Sequence, residues 1–279
     1  MTFIERSMQE RFAAGPPQGK SAPSGLSPAV PALPAQGWTG RSDADSGSSP
    51  YSEPRVAGSV GALIFDMDGT MVDSMPWHAK CWVEFTRLHD LDIPLDEVMQ
   101  RTTGRTGPEC MRLLFEREFD DVACDALVQQ KEQLYRELFA PVFAEVAGFK
   151  RFEGLARARG LKVGIGTAGD KHNMAFVLRH LQLAQAPHAK VGGDEGFPGK
   201  PEPAIFLEAA RRLQVEPESC IVFEDAPFGI EAARRAGMRA VAVCSTHSPA
   251  QLAGPHVLAA VRDYTELMNS SFLENLHVA

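Results

Sequence analysis

The sequence lacks an apolar stretch long enough to cross a lipid bilayer, because polar residues interrupt its apolar runs well short of the roughly 20 residues that a spanning helix needs. It also lacks a basic excess: 28 Lys and Arg stand against 36 Asp and Glu, which gives a formal net charge of -8. Nucleic-acid-binding domains usually carry a basic surface. Neither a membrane nor a nucleic acid is therefore an expected partner.

Cysteine is scarce as well, with five residues in the 279 of the chain. They are scattered, form no C-x-x-C pair and match no zinc-site spacing: Cys81, Cys110, Cys124, Cys220 and Cys244. An odd number of dispersed cysteines favours reduced thiols and a cytoplasmic protein. We expect a cytoplasmic monomer.

Residues 1–57 differ in composition from the rest of the chain. Pro, Ser and Gly occupy 23 of these 57 positions (eight, nine and six), and apolar residues occur singly. Such a segment buries too little apolar surface to offset its chain entropy, which predicts a disordered N-terminal extension. An organellar transit peptide is the alternative, although Glu5 and Glu10 count against it because such peptides avoid acidic residues.

The remaining sequence predicts an α/β fold. A short apolar run at 61–66 is typical of a strand buried on both faces. Residues 75–140 show helical periodicity, and after Gly148 apolar runs alternate with helices, one beginning at Pro201 and one ending before Gly237. This order predicts a Rossmann-like parallel-sheet core with an inserted all-helical cap. The core would comprise residues 58–74 and 147–279, and the cap residues 75–146.

Polar residues follow the apolar runs at the points where ligands bind to an open parallel sheet. They are Asp66 and Asp68, then Thr167, and finally Glu224 with Asp225, while Lys200 directly precedes the helix expected at Pro201. Several carboxylates in one crevice repel each other unless a hard cation neutralises them, and oxygen ligands suit Mg²⁺. With a lysine and a hydroxyl nearby, the set predicts a phosphoryl-binding site in which a carboxylate attacks phosphorus.

Two segments partly match nucleotide-binding motifs, which is an alternative to this interpretation. Residues 164–169 fit the G-x-G-x-x-G dinucleotide pattern, but they do not follow the first strand of the domain. The acidic residues beyond them, Asp194 and Glu195, also come late for a ribose contact. The Gly199-Lys200 pair lacks the spacing of a P-loop, and Pro201 replaces its Ser or Thr.

Residues 60–74, Thr167, Lys200 and Glu224-Asp225 resemble the four motifs of the haloacid dehalogenase-like superfamily of phosphotransferases. Residues 199–206 and 221–238 resemble the β-phosphoglucomutase-like subfamily, which has a small helical cap inserted after the first motif. The resemblance runs from about residue 60 to 265. It implies an enzyme that requires Mg²⁺ and acts on a small phosphorylated metabolite.

The resemblance also implies residue roles. Asp66 would be the nucleophile and a Mg²⁺ ligand, and Asp68 the general acid and base with its carbonyl on the metal. The phosphoryl oxygens would be held by Thr167, Ala168 and Lys200. Asp225 would bind Mg²⁺, with Glu224 beside it or acting through water. The dehalogenases of the superfamily lack the second aspartate, so carbon–halogen cleavage is not expected.

In the cap, His78 and Lys131 occupy positions similar to a histidine and a lysine of β-phosphoglucomutase, and Arg105 is the nearest candidate for its substrate-phosphate arginine. Lys171 and Asn173 are offset from the pair that holds the distal phosphate there. We therefore predict a Mg²⁺-dependent phosphomonoester hydrolase for a small phosphorylated sugar or related metabolite. A sugar phosphomutase and a catalytically silent binding or regulatory protein on the same scaffold are the alternatives.

Overall fold

The computed structural model describes residues 58–279, so the prediction of a disordered segment at 1–57 lies outside the described residues. The elements are, in chain order, β1 (Ala62–Phe65), α1 (Met75–Leu88), α2 (Leu95–Thr102), α3 (Gly107–Phe115), α4 (Asp121–Phe139), α5 (Phe149–Ala158), β2 (Lys162–Gly166), α6 (Lys171–Leu181), β3 (Ala189–Val191), α7 (Ala204–Leu213), β4 (Cys220–Glu224), α8 (Pro227–Arg235), β5 (Arg239–Val243), β6 (Val257–Val261) and α9 (Tyr264–Asn269). Short 3-10 turns lie at Ala140–Val142 and Pro217–Ser219.

The six strands form one sheet in the order β3-β2-β1-β4-β5-β6, and every adjacent pair is parallel. From β1 the chain moves outward through β2 and β3, then returns to β4 on the other side of β1. The strand order thus reverses at β1 and β4, where open α/β sheets form their ligand crevice. The predicted parallel α/β class is confirmed.

Strand β1 shows why this sheet is buried on both faces. Leu63 and Phe65 belong to one core cluster, together with side chains of α5 and α6. The alternate residues, Ala62 and Ile64, belong to a second cluster with side chains of α7 and α8. Because side chains alternate between faces along a strand, an apolar run without polar interruption requires helices on both sides.

The four helices after β1 form the cap and have a hydrophobic cluster of their own, built from Trp82, Phe85, Val98, Cys110, Met111, Leu114, Cys124 and Val128. The C-terminal half of α4 instead contributes Tyr135 and Phe139 to the cluster beneath the sheet, so α4 joins cap and core. The predicted helical cap is confirmed as an element of the fold, whereas its limits at 75 and 146 stay a prediction.

The structure corrects the sequence prediction at one helix start and at two strands, and it confirms one helix end. The helix expected from Pro201 begins at Ala204, because Pro203 disfavours helical geometry at the residue before it. Strands β3 and β6 were missed, since β3 has three residues with an exposed lysine at its centre and β6 is only partly buried. Gly237 follows the end of α8 with a φ of 72°, as its predicted role as a helix-terminating glycine requires.

All five cysteines are free in the structure, and four of them are buried. Burial raises the pKa of the Cys81, Cys110 and Cys220 thiols to about 12, so these groups are protonated at neutral pH. Within residues 58–279, no helix combines the length and the apolar character that crossing a bilayer requires.

Candidate active site

The candidate site lies at the carboxyl ends of β1 and β4, where the strand order reverses. Phe65 is level with Phe223, and the Asp66 N–H donates to the Phe223 carbonyl at 3.0 Å. This register brings Asp66 beside Glu224 and Asp225. Each of the three offers a carboxylate oxygen, and these oxygens lie within 4.8 Å of one another.

Lys200 enters the same cluster from the loop before α7. Its Nζ donates to Asp66 Oδ1 at 2.5 Å and to Glu224 Oε1 at 2.6 Å, and the side chain is 2% exposed. Burial alone would lower the pKa of this ammonium, but the two carboxylates raise it above its usual range. Lys200 is therefore a fixed, permanently charged group at the centre of the site.

One lysine does not compensate three buried carboxylates. Burial raises the pKa of Asp66 to about 7 against the attraction of Lys200, and the charge of Glu224 adds to the rise. Burial and the charges of Glu224 and Asp66 raise the pKa of Asp225 well above its usual range. A buried donor set made only of oxygen atoms with excess negative charge fits a hard divalent cation such as Mg²⁺.

Two glycines permit this crowding. A Cβ on Gly69 would lie 2.2 Å from Asp225 Oδ2, and the residue has a φ of 77°, in the left-handed region. A Cβ on Gly229 would lie 1.8 Å from Glu224 Oε1. Neither acid could keep its position beside a larger residue.

Thr167 follows β2 and is 1% exposed. Its Oγ1 accepts a hydrogen bond from the Gly169 N–H at 3.0 Å, which leaves the hydroxyl proton available for donation. Ala168 lines the same crevice. Thr167 and Ala168 therefore line one crevice together with Lys200 and the acidic cluster.

Asp68 is held through one of its two carboxylate oxygens. Ser74 Oγ donates to Oδ1 at 2.7 Å and Tyr135 Oη at 3.0 Å, and His78 Nε2 lies 3.2 Å from the same atom. Burial opposes the charge of Asp68, but His78 and these hydrogen bonds lower its pKa to about 2. Oδ2 is directed toward Gly169, on which a Cβ would lie 3.6 Å away.

The three cap residues that the sequence singled out line the same crevice. Lys131 Nζ donates to His78 Nδ1 at 3.0 Å, so the Nε2 of a neutral imidazole carries the proton that faces Asp68. The His78 ring stacks on Tyr135 with centroids 3.8 Å apart. Arg105 lies 5.6 Å from the Phe228 ring, and among the described residues its buried Nε finds no hydrogen-bond partner.

Close helix–sheet packing, with no need for a bound dinucleotide, accounts for two glycines of the 164–169 motif. A Cβ on Gly164 would lie 2.9 Å from Leu213 Cδ1, and one on Gly166 would lie 2.9 Å from Phe206 Cδ1. Both contacts belong to α7, which packs on β2. These glycines allow close helix–sheet packing.

Sequence reasoning missed three polar residues of the site. Ser74 contacts Asp68, Thr246 Oγ1 donates to Asp225 Oδ2 at 2.5 Å, and Glu132 lines the crevice from the cap. Thr246 lies in the loop after β5, so a search at that strand end would have found it. Lys171, in contrast, is directed away to Asp194 at 3.8 Å with its side chain 74% exposed.

Comparison with known proteins agrees with this geometry. The family model for haloacid dehalogenase-like hydrolases matches residues 60–237. The chain belongs to the haloacid dehalogenase-like hydrolases. It is 34% identical over 182 residues to the fructose-1-phosphate phosphatase YqaB of Escherichia coli, a match that covers 65% of this chain and 95% of that protein.

Two further relatives define the branch of the family. β-Phosphoglucomutase of Bacillus subtilis is 33% identical over 190 residues, covering 65% of this chain and 82% of that enzyme. The crystal structure of β-phosphoglucomutase from Clostridium difficile superposes with a TM-score of 0.67 at 24% identity, covering 77% and 96% of the two chains. This haloacid dehalogenase-like hydrolase is thus an enzyme of the β-phosphoglucomutase-like subfamily.

Proposed function

We propose that this enzyme is a Mg²⁺-dependent phosphatase that hydrolyses the phosphomonoester of a small sugar or related metabolite through an aspartyl-phosphate. The observation that carries the proposal is the contact of Lys200 Nζ with Asp66 inside a cluster of three buried carboxylates. The likeness to a fructose-1-phosphate phosphatase supports the substrate class.

In the first step, a carboxylate oxygen of Asp66 forms a bond to phosphorus while the bond from phosphorus to the ester oxygen breaks. The departing oxygen takes the electron pair and a proton from Asp68 Oδ2. The dianionic phosphoryl group beside Asp68 favours that protonated form, since a nearby negative charge raises the pKa of a carboxyl. Lys200 and the Thr167 hydroxyl stabilise the charge on the transferred group.

In the second step, water attacks phosphorus and gives its proton to Asp68, the bond to Asp66 breaks, and inorganic phosphate leaves. Asp68 is ionised once it has protonated the leaving oxygen, and the neighbouring phosphoryl charge raises its pKa, so it can accept this proton. Mg²⁺, held by Asp66, Glu224 and Asp225 with the carbonyl of Asp68, would keep the carboxylates ionised and polarise the phosphoryl oxygens.

We assign the cap two tasks. Arg105 is the cap residue with an unsatisfied buried donor and would contact substrate oxygens directly. His78 and Lys131 are linked to Asp68 and would orient the carboxylate as well as line the leaving-group side of the crevice. Closure of the cap would exclude bulk water during transfer.

A sugar phosphomutase is the second candidate, and the 33% identity to B. subtilis β-phosphoglucomutase favours it. In that case a sugar hydroxyl would replace water as the acceptor. Supplying glucose 1,6-bisphosphate with a glucose phosphate separates the two: a mutase isomerises the monophosphate, whereas a phosphatase releases inorganic phosphate. A silent binding protein is disfavoured by the complete set Asp66, Asp68, Lys200 and Asp225.

A screen of the purified protein against phosphorylated metabolites, with Mg²⁺ and with EDTA, tests the proposal. We expect Mg²⁺-dependent phosphate release from one or more sugar or polyol phosphates. Release that is unchanged by EDTA, or no release from any compound, would contradict it. The cytoplasmic location and the monomeric state stay predictions from the sequence.

A further inference from the structure

Glu132 is an acidic residue of the crevice that the proposed reaction does not use. It follows Lys131 on α4, and its side chain is 13% exposed. It lines the inner crevice, as Asp68 does, and it also lines an adjoining cavity of about 480 Å³; Gly107 and Ala168 likewise line both spaces. Asp68, which would protonate the leaving oxygen, is linked to Glu132 through His78 and Lys131, so the leaving group of a substrate attacked by Asp66 would lie on this side of the site.

Glu132 compensates the cap lysine. Lys131 Nζ donates to Glu132 Oε1 at 2.9 Å and to His78 Nδ1 at 3.0 Å, and it lies 4.6 Å from the centroid of the Trp82 ring. An ammonium has three N–H donors. Two of these donors form the hydrogen bonds to Glu132 and His78, and the ring of Trp82 lies beside the third. Lys131 therefore has no free N–H donor for a second anion.

The carboxylate of Glu132 is fixed on its other side as well. Asn173 Nδ2 donates to Oε2 at 2.6 Å, and Arg136 Nη1 donates to the amide oxygen of Asn173 at 2.7 Å. Burial opposes ionisation, but the charge of Lys131 and the hydrogen bonds from Lys131 and Asn173 lower the pKa of Glu132 below its usual range. The group therefore stays negatively charged in place.

The side chains that line the crevice carry no surplus of positive charge that could bind a second phosphate. Among the described residues that line it, three are cationic and five are carboxylates: Arg105, Lys131 and Lys200 against Asp66, Asp68, Glu132, Glu224 and Asp225. One divalent cation would balance these side chains. With Asp68 protonated for the first step, the surplus is one positive charge, which the dianionic reacting phosphate already exceeds. A second phosphate would therefore stand uncompensated near Glu132.

We propose that Glu132 is a specificity-determining residue that reserves the crevice for phosphomonoesters whose leaving group carries no second phosphate, such as an uncharged sugar or polyol. The inference rests on the proposed function and narrows its substrate class. It also separates this chain from an enzyme that must hold a bisphosphate.

The test compares matched mono- and bisphosphates: fructose 1-phosphate with fructose 1,6-bisphosphate, and glucose 6-phosphate with glucose 1,6-bisphosphate. The full-length protein, Glu132→Gln and Glu137→Gln are assayed with Mg²⁺ for kcat/KM and for the rise in Tm that each compound causes. Glu137 lies on the exposed side of the same helix and serves as the control. Glutamine removes the charge and keeps an oxygen that accepts from Lys131, while its NH2 group replaces the oxygen that accepts from Asn173 Nδ2.

We expect the wild type and Glu137→Gln to prefer the monophosphate in each pair, and Glu132→Gln to reduce that preference by roughly tenfold, the size expected for one partly buried charge. An equal preference in wild type and Glu132→Gln would overturn the inference, as would a wild type that prefers the bisphosphates. The Tm shifts report selection even without turnover. A protein whose Tm shifts show the preference but which releases no phosphate would contradict the proposed function and leave the role of Glu132 supported.

Discussion

Lys200 Nζ and Asp66 Oδ1 lie 2.5 Å apart although 134 positions separate the two residues in the sequence. The contact is fully buried and is shared with Glu224, whose Oε1 accepts from the same ammonium at 2.6 Å. The carboxylate of Asp66, the proposed nucleophile, thus has one of its oxygens fixed by the ammonium of Lys200. The chemistry of the site depends on this pairing.

Removing the lysine charge should destabilise the protein as well as inactivate it. We expect Lys200→Met to lower the free energy of unfolding by about 3–5 kcal/mol, because Asp66 and Glu224 would be left buried without a counter-charge. Urea unfolding measures the effect. Lys190→Met, at an exposed position of β3, is the control and should change stability by less than about 0.5 kcal/mol. Equal stabilities would show that Lys200 does not neutralise the cluster.

Two glycine substitutions should have effects of opposite sign. Gly229→Ala would place a Cβ 1.8 Å from Glu224 Oε1, so Glu224 must move and both stability and phosphatase activity should fall. Gly154→Ala meets open space within α5 and should stabilise the protein by about 0.5–1 kcal/mol through its higher helix propensity. Urea unfolding of both variants measures these changes. A Gly229→Ala variant as stable as the wild type would mean that Glu224 is not confined by Gly229.

Stabilisation by Mg²⁺ should increase with pH. Burial raises the pKa of Asp66 from 3.8 to about 7, so without a cation the folded protein retains a proton that the unfolded chain releases. Its stability therefore falls as the pH rises from about 4 to about 7. A bound divalent cation offsets the buried negative charge that causes this loss of stability. Above about pH 7 it also binds without displacing a proton from Asp66. The rise in Tm on adding Mg²⁺ should be larger near pH 8 than near pH 5, and KCl at matched ionic strength should not reproduce it. An equal rise at both pH values would argue against a cation bound to these carboxylates.

The role of Asp68 predicts a burst with an activated substrate. p-Nitrophenolate leaves without a proton, so Asp68→Asn should still transfer the phosphoryl group from p-nitrophenyl phosphate to Asp66. Hydrolysis of the aspartyl-phosphate needs the general base and should slow by about 10²–10⁴-fold. Stopped-flow absorbance should show one equivalent of p-nitrophenolate followed by a slow phase. Asp92→Asn, on the exposed surface, should behave as the wild type; steady turnover by Asp68→Asn at the wild-type rate would remove Asp68 from the mechanism.

The positions of the site residues could be anticipated where each polar residue directly follows an apolar run. Asp66, Thr167 and Glu224 are of this kind, since the parallel sheet brings the ends of β1, β2 and β4 to one edge. Lys200 could be anticipated only from its position directly before the helix expected at Pro201, because its loop follows β3, a strand too short to recognise.

Other features depend on tertiary contacts that no local pattern encodes. The helix after Lys200 begins later than expected because Pro203 disfavours helical geometry at the residue before it. The close contact of Gly229 with Glu224 is seen only in the folded structure. Glu132 occupies an ordinary helical position, and its location in the crevice depends on how α4 crosses from cap to core.

Direct detection of the phosphorylated carboxylate tests the account most sharply. The wild type and Asp66→Asn are mixed with Mg²⁺ and a sugar phosphate that the wild type hydrolyses, quenched in acid within one turnover, and treated with borohydride, which reduces an acyl-phosphate to an alcohol. Peptide mass spectrometry then locates the reduced residue. We expect reduction at Asp66 in the wild type and none in Asp66→Asn, which should also release no phosphate. A reduced residue at another position, or phosphate release by Asp66→Asn at the wild-type rate, would contradict it.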